Sequence, residues 1–166
     1  MNVTFTEDTE HQSSLLRCMD KLKSAQVEVG LPEGASGRSK FLLALHERGA
    51  PIMRIPPRPI VGPALAQASV QEQMATAMLT ACEAAAEGNE GGVDAGLEAV
   101  GQAGLQGIHD YIDAGISPPN APVTVSGGWI YNRVAKVGVH VSGKGINKPM
   151  YATGELYGSF AYEVKT

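Results

Sequence analysis

The sequence predicts an α+β fold, in which an antiparallel or mixed sheet of about four or five strands packs against two long helices and several shorter ones. Apolar residues recur with helical spacing over residues 63–87 and 93–114, and these segments predict the long helices. In other segments apolar and polar residues alternate, as strands with one buried face require. These alternating segments are residues 27–31, 128–142 and 160–164. The whole chain has 166 residues, a length typical of one domain, so we expect a single domain over residues 1–166.

The first part of the chain predicts a short strand, a helix, a second strand and a second helix. Val3 and Phe5 alternate with polar residues and indicate the first strand. Thr9 begins a capping box for a helix over residues 10–23, and Ser39 is expected to cap the second helix. The predicted apolar faces of these two helices are Leu15, Leu16, Met19 and Leu22, then Phe41, Leu42 and Leu45.

A stiff connector, called the strap (residues 46–65), joins the second helix to the first long helix. Gly49 can adopt the left-handed conformation that ends a helix, and Pro63 suits the first turn of the next helix. Prolines at positions 56, 57 and 59 hold the backbone extended between them. We expect the strap to present Arg54 and Arg58 at fixed positions, as interface residues.

The two long helices differ in composition. In the first, Leu65, Met74, Met78 and Cys82 share one face, and many alanines lie between them. A glycine-rich break over residues 88–92 follows. The second has four interior glycines, each of which costs up to about 1 kcal/mol relative to alanine. Either close packing against small residues offsets this cost, or the helix bends or reorders on assembly.

The last part of the chain predicts a hairpin and a closing strand. Residues 118–122 end the helical half, and the alternation that follows turns around residues 132–133, so we expect a hairpin insertion at residues 126–145. Its candidate interface residues are Trp129, Tyr131, Arg133 and Lys144. A short helical turn is expected from Thr153 before the last strand. The predicted core residues are Phe41, Leu45, Leu65, Leu97 and Phe160.

No pattern in the sequence predicts catalysis, a cofactor or a metal. Residues 138–145 have the glycine spacing and the lysine of a phosphate-binding loop, but Gly145 replaces the hydroxyl residue that would hold magnesium. The histidines lack the spacing of a metal site, and His109 beside Asp110 on a helix does not form a dyad. We expect Cys18 and Cys82 to be buried thiols. The chain is therefore predicted not to be an enzyme.

Composition excludes some functions and favours others. A net charge of −4 argues against a protein that wraps nucleic acid, because that affinity comes from lysine and arginine. Only 18% of the residues are charged, which suggests that partners cover part of the surface. No apolar run approaches the roughly 20 residues of a membrane span, and the start of the chain lacks a secretory signal. We expect a soluble protein made in a cytoplasm, with no membrane partner.

Two sequence blocks together carry a resemblance to a known family. The first is the strap, in which a glycine-ended helix runs into a proline-arginine-proline connector and a long helix. The second comprises residues 118–124 and 148–156, with a threonine-glycine turn and a leucine, followed by Ser159 and a final strand. In these blocks, in their order and in the approximate helix lengths between them, the chain resembles the head-to-tail joining, or tail-completion, proteins of long-tailed bacteriophages. The chain departs from the family in a longer, strand-like insertion between Thr124 and Lys148.

The resemblance implies a non-enzymatic virion protein of the phage neck, assembled in the host cytoplasm. It implies a ring of identical subunits between the portal complex and the tail, with portal-side connector proteins and tail terminator or tail tube proteins as partners. DNA would pass through the ring without specific binding. The alternatives are another neck component, such as a stopper or tail terminator, a small virion hydrolase or packaging factor, and a DNA-binding accessory factor.

Overall fold

The structure is a computed structural model that describes residues 9–51, 55–132, 135–145 and 154–166. The described helices are α1 (Thr9–Ser24), α2 (Gly37–Arg48), α3 (Val61–Leu65), α4 (Ala68–Ala86), α5 (Glu90–Asp113) and α6 (Pro122–Ser126). The described strands are β1 (Gln26–Gly30), β2 (Gly127–Asn132), β3 (Val137–Ser142) and β4 (Ala161–Lys165), and a 3-10 turn covers Tyr157–Ser159. The predicted first strand at Val3 and Phe5, and Thr153, lie outside the described residues.

The chain divides into two compact units, and each unit combines segments that are distant in sequence. Unit 1 comprises Met1–Gly30, Leu65–Gly107 and Ala161–Thr166. Unit 2 comprises Leu31–Ala64 and Ile108–Phe160. The expectation of a single domain stays a prediction.

The strands form two separate antiparallel pairs. In unit 1, β1 pairs with β4, and Val27 lies opposite Val164. In unit 2, β2 pairs with β3, and Trp129 lies opposite His140. The α+β class is therefore confirmed, but a single sheet of four or five strands is not confirmed among the described residues. The hairpin was predicted, but period-two alternation identifies a strand without identifying a distant neighbour, which is why the sequence did not predict that β1 pairs with β4.

The core of unit 1 forms between α1, α4, α5 and the β1–β4 pair. The side chains at its centre are Cys18, Ala84, Ala85, Val93 and Leu97, and the partly buried residues packed against them are Leu22, Ala25, Val27 and Val164. Two ion pairs on the surface join α1 to the start of α5: Arg17 to Glu90 at 2.9 Å and Lys21 to Asp94 at 2.6 Å. The hydrogen bond that Lys21 donates to Asp94 raises the pKa of Lys21. In unit 2 the buried apolar residues are Ile60, Ala64, Ile108, Ile112, Ile116, Leu156 and Phe160.

Close packing of α5 against α4 explains one of the interior glycines of α5, Gly96. A Cβ atom built at Gly96 would lie 2.6 Å from the Cβ of Ala81, and one at Gly92 would lie 2.7 Å from the Cβ of Ala84. Real Cβ atoms do not approach so closely. Close packing against a small residue is thus confirmed at Gly96, where the contact offsets the cost in helix propensity. The other three interior glycines lie against larger side chains, among them Tyr162 and Val29 of the strands.

The predicted face of the first long helix is wrong. The sequence pattern indicated one helix over residues 63–87, whereas the structure has α3 and α4, separated at residues 66–67. Cys82 is exposed, although a buried thiol was expected, and Met78 is exposed as well. The buried residues of α4 are instead Val70, Ala81, Ala84 and Ala85. Because the glycines of α5 approach so closely, small side chains fill this interface and the larger ones point outward.

Three predictions for α1 and α2 are also wrong. In α1, Leu16 and Met19 are exposed, whereas Cys18 is fully buried. In α2, the predicted core residue Phe41 is 65% exposed. Ser39 is not the cap of α2: its backbone N–H donates to Ser36 Oγ at 2.9 Å, so Ser36 is the cap and Ser39 is buried in the first turn. The predicted core residues Leu97 and Phe160 are buried, and Leu45 and Leu65 are partly buried.

Candidate protein interface

The β2–β3 hairpin is the most exposed apolar element among the described residues. Its strands are rich in β-branched and aromatic residues, which favour extended pairs. The pair runs from Gly127 opposite Ser142 to Asn132 opposite Val137. The short helix α6 precedes β2 and is the element that packs against both strands. Isolated two-stranded hairpins are marginally stable in water, so this element needs further contacts for full stability.

Both faces of the hairpin expose apolar side chains. One face carries Trp129 and Tyr131, which are 74% and 65% exposed. Trp129 meets His140 across the strands in an edge-to-face contact, with ring centroids 5.5 Å apart. The opposite face exposes the aliphatic residues Ile130, Val137 and Val139. Large exposed apolar surfaces mark sites of protein association, and this one extends over both sides of a sheet.

The predicted hairpin residues fall into two groups. Trp129, Tyr131 and Lys144 are exposed, and Lys144 follows β3 with its backbone N–H bonded to the carbonyl of Thr124 at 2.9 Å. Arg133 lies outside the described residues, as does Arg54 of the strap. The sequence analysis did not select the aliphatic face. An unbroken apolar run at residues 129–131 was the available signal, because a strand that is apolar at consecutive positions has two apolar faces.

The prediction that the strap presents Arg58 at its surface is wrong. Arg58 is only 6% exposed, and its guanidinium donates from Nε to the carbonyl of Pro118 at 2.6 Å and from Nη2 to the carbonyl of Pro119 at 2.9 Å. Burial lowers the pKa of this group. A buried guanidinium requires hydrogen-bond acceptors, and the segment after α5 supplies them. Arg58 therefore joins two segments of unit 2 and is not an exposed interface residue.

The strap is also bonded to the end of α2. The backbone N–H of Arg58 donates to the carbonyl of His46 at 2.6 Å. Glu47 Oε1 accepts from the backbone N–H groups of Ile60 and Val61 at 2.8 and 3.2 Å, at the start of α3. Gly49 ends α2 with a φ of 68°, as predicted, and its N–H donates to Leu45. These bonds hold residues 58–61 of the strap against the end of α2, and its arginine points inward.

His46, the first residue of the strap, is partly buried. Burial lowers the pKa of His46, the positive charge of Arg58 lowers it further, and Glu47 opposes the change. Its Nδ1 atom is buried and has no hydrogen-bond partner among the described residues. The surroundings of His46 therefore favour the neutral imidazole.

A second polar cluster lies at the end of α5. The rings of His109 and Tyr157 stack with centroids 4.4 Å apart, and the hydroxyl of Tyr157 donates to Asp113 at 3.2 Å. Burial raises the pKa of Tyr157, and Asp113 adds to this effect. These contacts fix the 3-10 turn against the end of α5.

The described residues offer no geometry for the phosphate-binding loop considered from the sequence. Residues 138–142 lie in β3, where their backbone groups pair with β2. Within the described ranges, no group of three His, Cys, Asp or Glu residues could hold a metal ion. No described helix is long and apolar enough to cross a membrane.

Comparisons with protein-family models, with curated proteins and with solved structures found no match to this chain.

Proposed function

We propose that this chain is a structural subunit of a phage neck, a tail-completion or head-to-tail joining protein that forms a ring between the portal complex and the tail. The observation that carries the proposal is the β2–β3 hairpin, which exposes Trp129 and Tyr131 on one face and aliphatic residues on the other. A sheet with two apolar faces in water is costly in a monomer and becomes favourable when neighbours cover it.

The fixed strap supports the same proposal in a different way. A subunit that transmits contacts between a capsid and a tail needs a rigid frame. The bonds of Arg58 and Glu47 supply such a frame in unit 2. The strap is also the stretch whose order of glycine, prolines and long helix resembles the family. Its proposed contribution is thus to set the geometry of the subunit, and the contacts with neighbours belong to the hairpin.

The proposed partners are further copies of the chain, portal-side connector proteins, and tail terminator or tail tube proteins. DNA would pass through the ring without specific binding, because an acidic protein has few groups to neutralise phosphates. Whether the subunit serves as a joining protein, a stopper or a tail terminator depends on the particle to which it binds. The sheet of four or five strands stays a prediction that a measured structure of the assembled ring would test.

The proposal is tested with the purified chain, tailless filled heads and headless tails. We expect the chain to bind one of the two particles and to restore infectivity when the other is added. The double variant Trp129→Ser/Tyr131→Ser should lose both activities. Phe41→Ser is the matched control, because it removes an aromatic side chain of similar exposure outside the hairpin.

Two results would contradict the proposal. One is a folded wild-type chain that binds neither particle. The other is turnover of a nucleotide, peptidoglycan or peptide substrate by the purified chain, which would favour the packaging-factor or hydrolase alternative.

A further inference from the structure

Charge is strongly segregated along the chain. Residues 59–113, which include α4 and α5, carry eight acidic residues and no lysine or arginine. Residues 114–154, which include the hairpin, carry four basic residues and no acidic one. The basic residues are Arg133, Lys136, Lys144 and Lys148. The hairpin is therefore an apolar element in a basic segment, and it would favour a surface that is acidic and partly apolar.

The outward face of α4 is such a surface. Glu72, Thr76, Leu79 and Glu83 follow one another at intervals of three or four residues, which places them on one stripe of the helix. Leu79 is 59% exposed, and both glutamates are exposed. Beside this stripe, α4 and Ala99 of α5 form an open groove of about 530 Å³. Its α4 lining residues are Ser69, Glu72, Gln73, Thr76 and Ala77. The α4 stripe together with this groove is called the α4 surface.

We propose that the hairpin of one copy docks on the α4 surface of the next copy. The inference rests on the proposed ring and specifies which two surfaces form it. Trp129 and Tyr131 would cover Leu79 and the groove, while Lys136 and Lys144 face Glu72 and Glu83. Each copy offers one hairpin and one α4 surface, so the contact is heterologous and repeats from copy to copy until a ring closes.

Charge argues against the simplest alternative, a contact between two hairpins. Such a contact would place Lys136 and Lys144 of one copy near the same residues of the other, with no acidic residue in either segment to compensate. Contact with the α4 surface instead brings these lysines near Glu72 and Glu83, whose opposite charge attracts them. A second copy of the chain is therefore the occupant that the charges favour.

The test uses two double variants of the full chain. The hairpin variant is Trp129→Ser/Tyr131→Ser, and the surface variant is Glu72→Lys/Leu79→Lys. All four positions are exposed, so both variants should retain the fold, which circular dichroism would verify. By sedimentation and light scattering, we expect the wild type to form a larger assembly and each variant alone to be a monomer.

Mixing the two variants is the decisive step. The hairpin variant still offers an intact α4 surface, and the surface variant still offers an intact hairpin. An equimolar mixture should therefore form a one-to-one heterodimer that cannot grow further, because the second contact is defective on both sides. The controls are Phe41→Ser and Asp20→Lys, which make comparable changes at exposed positions of α2 and α1 and should assemble like the wild type.

Every other outcome overturns the docking. A wild type that stays monomeric at high concentration excludes this contact, and so does a surface variant that still assembles, which would indicate contact between hairpins. A monomer that binds a single-stranded oligonucleotide through Trp129 would identify nucleic acid as the occupant. The proposed neck function is judged separately by particle joining: a surface variant that assembles and joins particles defeats the docking and leaves the function standing.

Discussion

At the scale of single residues, Arg58 and His46 hold the strap. Arg58 binds two carbonyl oxygens after α5 through its side chain and the carbonyl of His46 through its backbone. The His46 imidazole lies close enough to Arg58 for the guanidinium charge to lower its pKa. The geometry of the strap and the protonation state of His46 are therefore linked.

Replacing Arg58 should destabilise the fold. Hydrogen bonds from a charged donor are worth more than neutral ones, so we expect Arg58→Ala to lower the free energy of unfolding by about 2 to 4 kcal/mol. Arg58→Lys should cost about half as much, because an ammonium lacks the planar fork that spans both carbonyls. Urea unfolding measures both values. Arg48→Ala, at an exposed position in α2, is the control, and an equal loss there would show that the bonds of Arg58 are not responsible.

Protonation of His46 should make stability depend on pH. Because burial and Arg58 lower its pKa in the folded state below the ordinary value of 6.5, the unfolded chain binds the proton first as the pH falls. The free energy of unfolding should therefore decrease as the pH drops below about 6.5, the ordinary histidine value. His46→Gln should flatten this slope, and His11→Gln on the exposed face of α1 should not. Identical slopes in the wild type and in His46→Gln would refute the prediction.

At the scale of elements, the α4–α5 pair and the hairpin differ in where they place their apolar side chains. The pair buries small residues at very short distance, and the hairpin leaves large ones exposed. The contact between α4 and α5 is buried within a single copy, whereas the hairpin leaves apolar area for a neighbour to cover.

The glycines of α5 give a matched pair of substitutions. Gly96→Ala would place a Cβ 2.6 Å from Ala81, so α4 and α5 must separate, and we expect a loss of about 1 to 3 kcal/mol in the free energy of unfolding. Gly91→Ala in the first turn of the same helix meets only Asn89, at 3.7 Å, and should raise stability by up to about 1 kcal/mol. Thermal or urea unfolding compares the two variants. Similar effects at both positions would show that close packing does not determine the choice of glycine.

At the scale of the whole molecule, the proposed assembly covers the one tryptophan of the chain. Trp129 is 74% exposed in the single copy, so its fluorescence reports directly on the hairpin.

Assembly should shift the tryptophan emission to shorter wavelength and reduce quenching by iodide as the protein concentration rises. The reason is that an indole moved from water into an apolar contact loses its polar surroundings. The surface variant Glu72→Lys/Leu79→Lys retains Trp129 and should show no such change. An emission maximum that is constant while the mass increases would mean that the hairpin is not covered in the assembly.

The sequence by itself determined the local structure of this protein. Helical spacing identified α1, α2 and α5, alternation identified β1, β4 and the hairpin, and Gly49 was placed correctly at the end of α2. These features depend on residues that are close along the chain, so their signals survive in the sequence. The exposed tryptophan and tyrosine of the hairpin were found in the same way.

Only the tertiary structure decided which side chains point inward and that β1 pairs with β4. Arg58 can be buried because the carbonyl groups of Pro118 and Pro119, 60 and 61 residues later in the chain, accept its hydrogen bonds. Cys82 is exposed because the close approach of α5 leaves room only for small side chains on the facing side of α4. The strands β1 and β4 are far apart in the chain, so local alternation does not specify that they pair. Each of these outcomes depends on contacts between distant segments, and periodicity along one segment carries no information about the partner.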